Sequence, residues 1–285
     1  GAAYSTAMPA TNRAIARRAP DGRYNLAIGV KQVGVTLGSA VAAVVVTNAS
    51  RVGGTWHDAF LALAGVVGLV GIVYLFVYRG TGGSGSLTLP DVRGLRSNRT
   101  YALLTLAGFF VGSGVFTTTG YMVPYVEEIG ADVATAGFAL ALMQVSGSTG
   151  RVAVGEVADR LPGSTAAGAF RVMMVQLSTG AALFFVLPLV GVSATFPLVA
   201  ALGISLLGVT GLYHGTLVRL VADDEAGAAT AGGQTTINLG GLLTPPAFGL
   251  VADTLGYPVG WRLLGASVLV GVVLLGFGVW SADRS

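Results

Sequence analysis

The chain is 285 residues long, 53% hydrophobic and only 10% charged, where a soluble domain carries about 25% charged residues; an ordinary soluble globule is excluded. With no cysteine and two histidines, disulfides, thiolate metal sites and histidine metal clusters are excluded too. The net charge of +3 follows the gaps between apolar stretches rather than one face, so it is no nucleic-acid footprint.

Gly1–Ile15 is mildly apolar and leads into Arg13, Arg17, Arg18 and Arg23. A secretory signal has the reverse order, charge first, so this segment reads as the tail of a membrane helix that begins upstream. Eight long apolar stretches follow: Tyr24–Thr47, Ala59–Tyr78, Tyr101–Val126, Val133–Val157, Thr165–Val190, Ser193–Leu220, Ala226–Val251 and Leu263–Trp280. Each approaches the ~20 residues a helix needs to cross the hydrocarbon layer. The fold class is therefore all-α, a polytopic membrane protein.

Arginines gather before the first full stretch and between the second and third, at Arg79, Arg93, Arg96 and Arg99. The gap after the third is acidic, with Glu127, Glu128 and Asp132. The positive-inside rule then places the Arg-rich gaps in the cytoplasm, and alternation places the C-terminus there as well. The longest gap contains Gly80-Thr81-Gly82-Gly83-Ser84-Gly85-Ser86, a flexible-linker composition. It divides the chain into 1–79, a linker at 80–99, and a six-helix unit at 100–285. Glycines four apart, Gly34/Gly38, Gly108/Gly112 and Gly211/Gly215, share a helix face and mark close helix packing.

Within the six-helix unit, Gly155-Glu156-Val157-Ala158-Asp159 ends one stretch and Gly249-Leu250-Val251-Ala252-Asp253 ends another three spans later. An odd separation puts the copies on opposite sides of the membrane, as an inverted 3+3 repeat requires.

Polar residues inside apolar stretches are functional candidates by default. Lys31, the only lysine, lies early in its stretch with Gln32 beside it; it faces a cavity or reaches back to the headgroups. His214 titrates for proton coupling or serves as a structural hydrogen-bonding group. Gln144 is mid-span. Gln234 and Asn238 are four apart and share a helix face, as interhelical glue or as substrate contacts. Thr117-Thr118-Thr119 and Tyr121 are further cavity candidates. Pro245-Pro246 predicts a helix kink. None of the eight stretches has an Asp or Glu near its middle.

Arg151, three residues, then Gly155-Glu156-Val157-Ala158-Asp159-Arg160 resembles the cytoplasmic loop signature of the major facilitator superfamily, in its second copy. Gly29-Val30-Lys31-Gln32-Val33-Gly34-Val35-Thr36-Leu37-Gly38 looks like the family's fifth helix. Leu239-Gly240-Gly241-Leu242-Leu243-Thr244-Pro245-Pro246-Ala247-Phe248-Gly249 looks like its eleventh. The resemblance implies that 1–79 is the remainder of an N-terminal bundle, the end of helix 4 with helices 5 and 6. It implies that 80–99 is the cytoplasmic central linker and that 100–285 holds helices 7 to 12. It also implies a gating loop of Arg151, Gly155, Asp159, Arg160 and Arg171. There Asp159 pairs with an arginine or with a helix N-terminus of the other bundle to hold one side shut; a fixed interfacial salt bridge is the plainer reading. Ser164-Thr165-Ala166-Ala167 stands where the family often has a basic pair.

No paired carboxylates, His-Glu-x-x-His, Gly-x-Ser-x-Gly or phosphate-binding Gly-x-x-x-x-Gly-Lys-Ser/Thr occur. An enzyme and a self-powered pump are disfavoured, and no cofactor or metal is expected. The expectation is a secondary transporter in a prokaryotic plasma membrane, its partners the lipid bilayer, a small-molecule solute and a proton or other coupling ion. It moves a small organic solute, with an anion favoured by Lys31, by rocker-switch alternating access. The alternatives are multidrug or metabolite efflux by proton antiport, and a non-transporting helical membrane subunit.

Overall fold

The computed structural model describes residues 11–12, 15, 19–20, 23–77, 97–160, 165–222 and 225–282. The segment 1–10, most of the 80–99 linker and the loop 161–164 lie outside the described residues. Among the described residues the helices are α1 (Tyr24–Asn48), α2 (Trp56–Val77), α3 (Arg99–Glu128), α4 (Val133–Arg160), α5 (Thr165–Val186), α6 (Val192–Leu202), α7 (Val209–Arg219), α8 (Ala226–Leu255) and α9 (Tyr257–Ala282). Between α6 and α7 lies a π-helical turn, Gly203–Leu207, so the two form one span. Helices are the economical answer to this composition, because hydrocarbon offers no partner for a backbone N–H or carbonyl. Among the described residues, six runs are long and apolar enough to cross a membrane: α1, α2, α3, Gly168–Leu189, Val192–Arg219 and α9. α4 and α8, with 28 and 30 residues, are long enough but more polar. Between them they carry Gln144, Arg151, Asp159, Gln234 and Asn238.

Helix ends are set locally. The Asn98 side chain accepts from Tyr101 N at 3.0 Å to start α3 and donates to the Leu220 carbonyl at 2.8 Å, which ties that start to the end of α7. Asp132 starts α4, accepting from Ala134 N, Thr135 N and the Thr135 hydroxyl at 2.9, 3.1 and 2.7 Å. Gly256, at φ +84°, turns the chain from α8 into α9. α8 stays helical through Pro245 and Pro246. Proline there leaves the carbonyls one turn earlier without their helical donors.

One end of the body gathers the starts of α1, α3, α5 and α8 with the ends of α4, α7 and α9. At the other end an aromatic cluster clamps four helices together. Trp261 is fully buried and lies 5.4, 5.6 and 4.7 Å from the ring centroids of Tyr125, Phe184 and Phe248. The Tyr125 hydroxyl also donates to the Leu187 carbonyl at 2.8 Å. The two Gly-x-Val-Ala-Asp copies sit at opposite ends: Gly155 against Asn25 at the start of α1, Gly249 against Tyr121 near the end of α3. α2 stands apart, with only Ala59 buried.

Glycines mark where backbones meet. A methyl on Gly155 would come within 2.8 Å of the Asn25 carbonyl oxygen, and one on Gly150 within 2.7 Å of that of Ile204. On Gly240 it would press on the Phe109 carbonyl and lie 2.8 Å from Ser113 N. Of the glycine pairs read from spacing, Gly108/Gly112 and Gly211/Gly215 face neighbours, whereas Gly34 and Gly38 meet nothing within 4 Å.

Two outcomes are expected. Gly240→Val should cost about 1–3 kcal/mol through overpacking and lower the denaturation midpoint in detergent, while Gly34→Ala should leave it unchanged or raise it; equal midpoints would contradict the packing. The Thr135 hydroxyl, then its N–H, with help from Ala134 N–H and the exposed Arg51, holds the Asp132 carboxyl below the ordinary aspartate range. A pKa lower in the folded than in the unfolded chain adds stability above the unfolded value, lost as pH falls through the folded one. Carboxyl NMR should therefore place the Asp132 titration below that of an ordinary aspartate, and Asp132→Asn should remove this part of the acid sensitivity.

Candidate functional site

α1 packs along α4 over nearly its whole length, from Asn25 against Gly155 to Thr47 against Gly137. Small residues at the crossing let polar side chains approach one another without lipid between them. Thr36 and Ser148 hydroxyls meet at 2.6 Å, both buried. Beside them lies Arg151, only 4% exposed. Its Nε donates to the Leu207 carbonyl at 3.0 Å, and its Nη1 donates to the Gln32 carbonyl and, at 3.5 Å, to Thr36 Oγ1. One guanidinium on α4 thus bonds to α1 and to the π turn.

The π turn makes this possible. Gly208 N donates to the Gly203 carbonyl at 3.0 Å, five residues back, so the ordinary ladder slips by one. The Ile204 carbonyl accepts from Gln176 Nε2 at 3.1 Å, and the Leu207 carbonyl from Arg151 and from the Thr210 hydroxyl at 2.9 Å.

A cavity of about 130 Å³ opens beside Arg151, between α1, α3, α4, α7 and α8. Its polar wall includes Gln32, Thr119, Gln144, Arg151, His214 and Gln234. Gln144 Nε2 donates to Thr119 Oγ1 at 3.4 Å. His214 is buried and joins two helices: its Nε2 is 3.0 Å from Gln234 Oε1, and its Nδ1 is 3.3 Å from Gln32 Nε2 and 2.7 Å from the Thr210 carbonyl. Gln234 Nε2 passes the chain on to Asn238 Oδ1 at 2.8 Å. The Nδ1 contacts are mutually exclusive by chemistry. A ring protonated only at Nε2 donates to Gln234 and accepts from Gln32; a ring protonated at Nδ1 donates to Thr210 and can no longer accept from Gln32.

Four of the six residues singled out as substrate contacts, Gln32, Gln144, His214 and Gln234, come together in this wall. Asn238 is exposed and reaches the group only through Gln234. Lys31 is half-buried outside the cavity and donates to Asn12 Oδ1 at 2.7 Å. Thr118 bonds its own helix at the Gly114 carbonyl, 2.7 Å away, and Tyr121 joins the aromatic cluster.

At the end where α1 starts, Asp159 is bonded to the first turn of that helix. Its carboxylate accepts from Asn25 N at 3.2 Å, Asn25 Nδ2 at 2.9 Å and Leu26 N at 2.9 Å. These backbone donors have no helical acceptor of their own, and the preceding Arg23 supplies no side-chain cap. Arg219 Nη2 stands 3.8 Å from the carboxylate, with its guanidinium 4.8 Å from the Tyr24 ring centroid. Of the gating-loop residues, Gly155 gives α1 its close approach, while Arg160 pairs at the surface with Glu156 at 2.6 Å. Arg171 is exposed on α5, and Arg151 faces the cavity rather than Asp159. Asn25 and Arg219 escape a reading by motif. Their position in the first and last turns of spans was the signal available.

The sequence matches the family model described as Major Facilitator Superfamily over residues 1–218. The chain belongs to the major facilitator superfamily. This is a family of transporters rather than enzymes. An MFS-type transporter of Mycobacterium tuberculosis H37Rv, itself uncharacterised, is 27% identical over 262 residues, 90% of this chain and 58% of that protein. Rat monocarboxylate transporter 13 is 29% identical over 161 residues, 54% of this chain and 37% of that protein. The chain thus spans well under two thirds of the length of these relatives. The E. coli fucose:proton symporter FucP superposes with a TM-score of 0.69 at 15% identity, over 95% of this chain and 73% of the symporter. It shares the MFS fold.

If Asp159 holds the start of α1, Asp159→Ala should speed amide exchange at Asn25 and Leu26 by about tenfold or more, as expected for a charged hydrogen bond worth about 1.5–3 kcal/mol. Hydrogen-exchange mass spectrometry of the detergent-solubilised chain measures it; unchanged protection would show that Asp159 is no cap.

Proposed function

We propose that this chain forms the solute-handling part of an MFS secondary transporter for a small organic anion, with the carboxylate its recognised group. The observation that carries this reading is the cavity, in whose wall Arg151 is the charged residue and neutral donors surround it. A guanidinium offers paired N–H groups that fit a carboxylate. Arg151, rather than Lys31, is the cation in position. Drug-sized ligands occupy roughly 300–1,000 Å³, so a volume of about 130 Å³ favours a solute of a few heavy atoms over multidrug efflux. Similarity to a protein named as a monocarboxylate transporter points to the same chemistry.

Two further parts belong to the proposal. Asp159 on the start of α1 is the latch of one membrane face, the cytoplasmic one by the distribution of arginines, and rocking of α1 against α4 breaks it. His214 carries the coupling proton. A proton arriving at Nδ1 moves that nitrogen from Gln32 to the Thr210 carbonyl, so protonation loosens one tie between α1 and α7. Two bundles, 1–79 and 100–285, rocking about the cavity in a prokaryotic plasma membrane with the C-terminus cytoplasmic complete the reading.

The test uses vesicles carrying the full-length transporter and a radiolabelled three-carbon hydroxycarboxylate. Uptake should be saturable, and Arg151→Gln should reduce it by about tenfold or more, equivalent to about 1.4 kcal/mol. His214→Gln should abolish acceleration by an imposed proton gradient while leaving equilibrium exchange. Carboxylate uptake indifferent to Arg151→Gln would refute the solute site. These 285 residues lack cysteine, so once any cysteine elsewhere in the full-length transporter is replaced, Gln234→Cys can be labelled from either face of the vesicle; labelling that never changes sides would return the protein to a packing subunit.

A further inference from the structure

A second cavity, on the outer surface of the bundle, has a different chemistry. Where the start of α3 meets the end of α9, Arg99, Val273, Gly276, Phe277 and Trp280 line an open groove of about 450 Å³. Its walls are apolar except at one end, where Arg99 lies over the Trp280 ring at 5.3 Å. Phe277 is 53% and Trp280 45% exposed. Gly276 keeps the floor open: a methyl there would meet only Met174 Cε at 3.5 Å. The rim is fixed by Thr100, whose hydroxyl donates to Ser281 Oγ at 3.2 Å, so the two helix ends cannot drift apart without losing a bond.

We infer that this groove binds an anionic phospholipid, with its phosphate on Arg99 beside Trp280 and an acyl chain along Val273, Gly276 and Phe277. In a membrane-spanning helix pair the outward groove faces lipid, so its occupant has a tail. The choice of headgroup follows from charge. Among the described residues, Arg99 shares its end of the bundle with Arg23, Arg160, Arg171 and Arg219, which outnumber the acidic Glu156, Asp159 and Glu225 there, whereas at the other end Asp58, Glu127, Glu128, Asp132 and Asp253 outnumber Arg51 and Arg262. A guanidinium binds phosphate through paired N–H groups, and a ring stacked on it fixes its plane. Arg99, at the first residue of α3, lies at headgroup depth, while Trp280 marks the interface as such rings do at membrane boundaries. The groove is independent of the solute cavity and of the reading given to it.

Tryptophan fluorescence can test this, because the sequence has only Trp56, Trp261 and Trp280, and Trp261 is fully buried. The 285-residue chain in nanodiscs should be quenched more by brominated phosphatidylglycerol than by brominated phosphatidylcholine, with a preference of about fivefold in apparent affinity. Trp280→Phe should remove the preferential quenching, which assigns it to this groove. Arg99→Gln should remove the preference but keep chain-length-dependent quenching, and Arg99→Lys should retain part of it. Circular dichroism checks that each variant is helical. Equal quenching by the two lipids, or a preference that survives Arg99→Gln, would overturn the inference. So would its abolition by millimolar inorganic phosphate, which would mean a soluble-anion site instead.

Discussion

The guanidinium of Arg151 stands where α1, α4 and the π-turned span meet, and the polar interior is arranged around it. A buried cation is tolerated only when its donors are occupied. Its acceptors include backbone carbonyls of two other elements, Gln32 and Leu207, and the Thr36 hydroxyl. Carbonyls offer dipoles rather than a full negative charge. The small residues of the α1–α4 crossing follow from the same demand. Gly29 lies against the Arg151 backbone, and a larger residue there would separate the helices the arginine joins.

The two ends of the bundle are held by different forces. At one end, Asp159 accepts from N–H groups in the first turn of α1, a charged and directional contact. At the other end, Trp261, Tyr125, Phe184 and Phe248 interlock by shape and burial, with no charge to release. Such an asymmetry suits a molecule in which α1 moves against a firmly packed group of helices. It also explains why the repeated Gly-x-Val-Ala-Asp has unequal fates: Asp159 is nearly enclosed, Asp253 exposed.

The helical spans were legible because lipid imposes length and apolarity on every one of them. Their ends were less so. The last span begins at Tyr257, six residues before the apolar run at Leu263, because a glycine at positive φ sets the start and Arg262 is carried inside the helix. The π turn left no trace in hydrophobic pattern, since Gly203 and Gly208 sit in an unbroken apolar stretch. Without it, the direction of Arg151 could not be foreseen: the carbonyl it seeks is exposed by a slip in another helix's ladder. Gln32, Gln144, His214 and Gln234 were visible as polar residues at depth, but their convergence depends on how four helices are rotated about their axes. Lys31 shows the same dependence on rotation. It neighbours Gln32 in sequence, yet successive side chains on a helix point about 100° apart, and it meets Asn12 instead.

The same geometry gives the π turn a role beyond freeing carbonyls. One extra residue in a helical turn rotates the remainder of the helix by about 100° relative to the part before it. Thr210 and His214 lie just beyond Gly203–Leu207 and line the cavity; on an uninterrupted α-helix their sector would be turned elsewhere. The azimuth of the imidazole is therefore a counting property of the chain upstream of it. Changes that shorten or regularise those five residues would reach the polar chamber without altering a single atom of its lining chemistry.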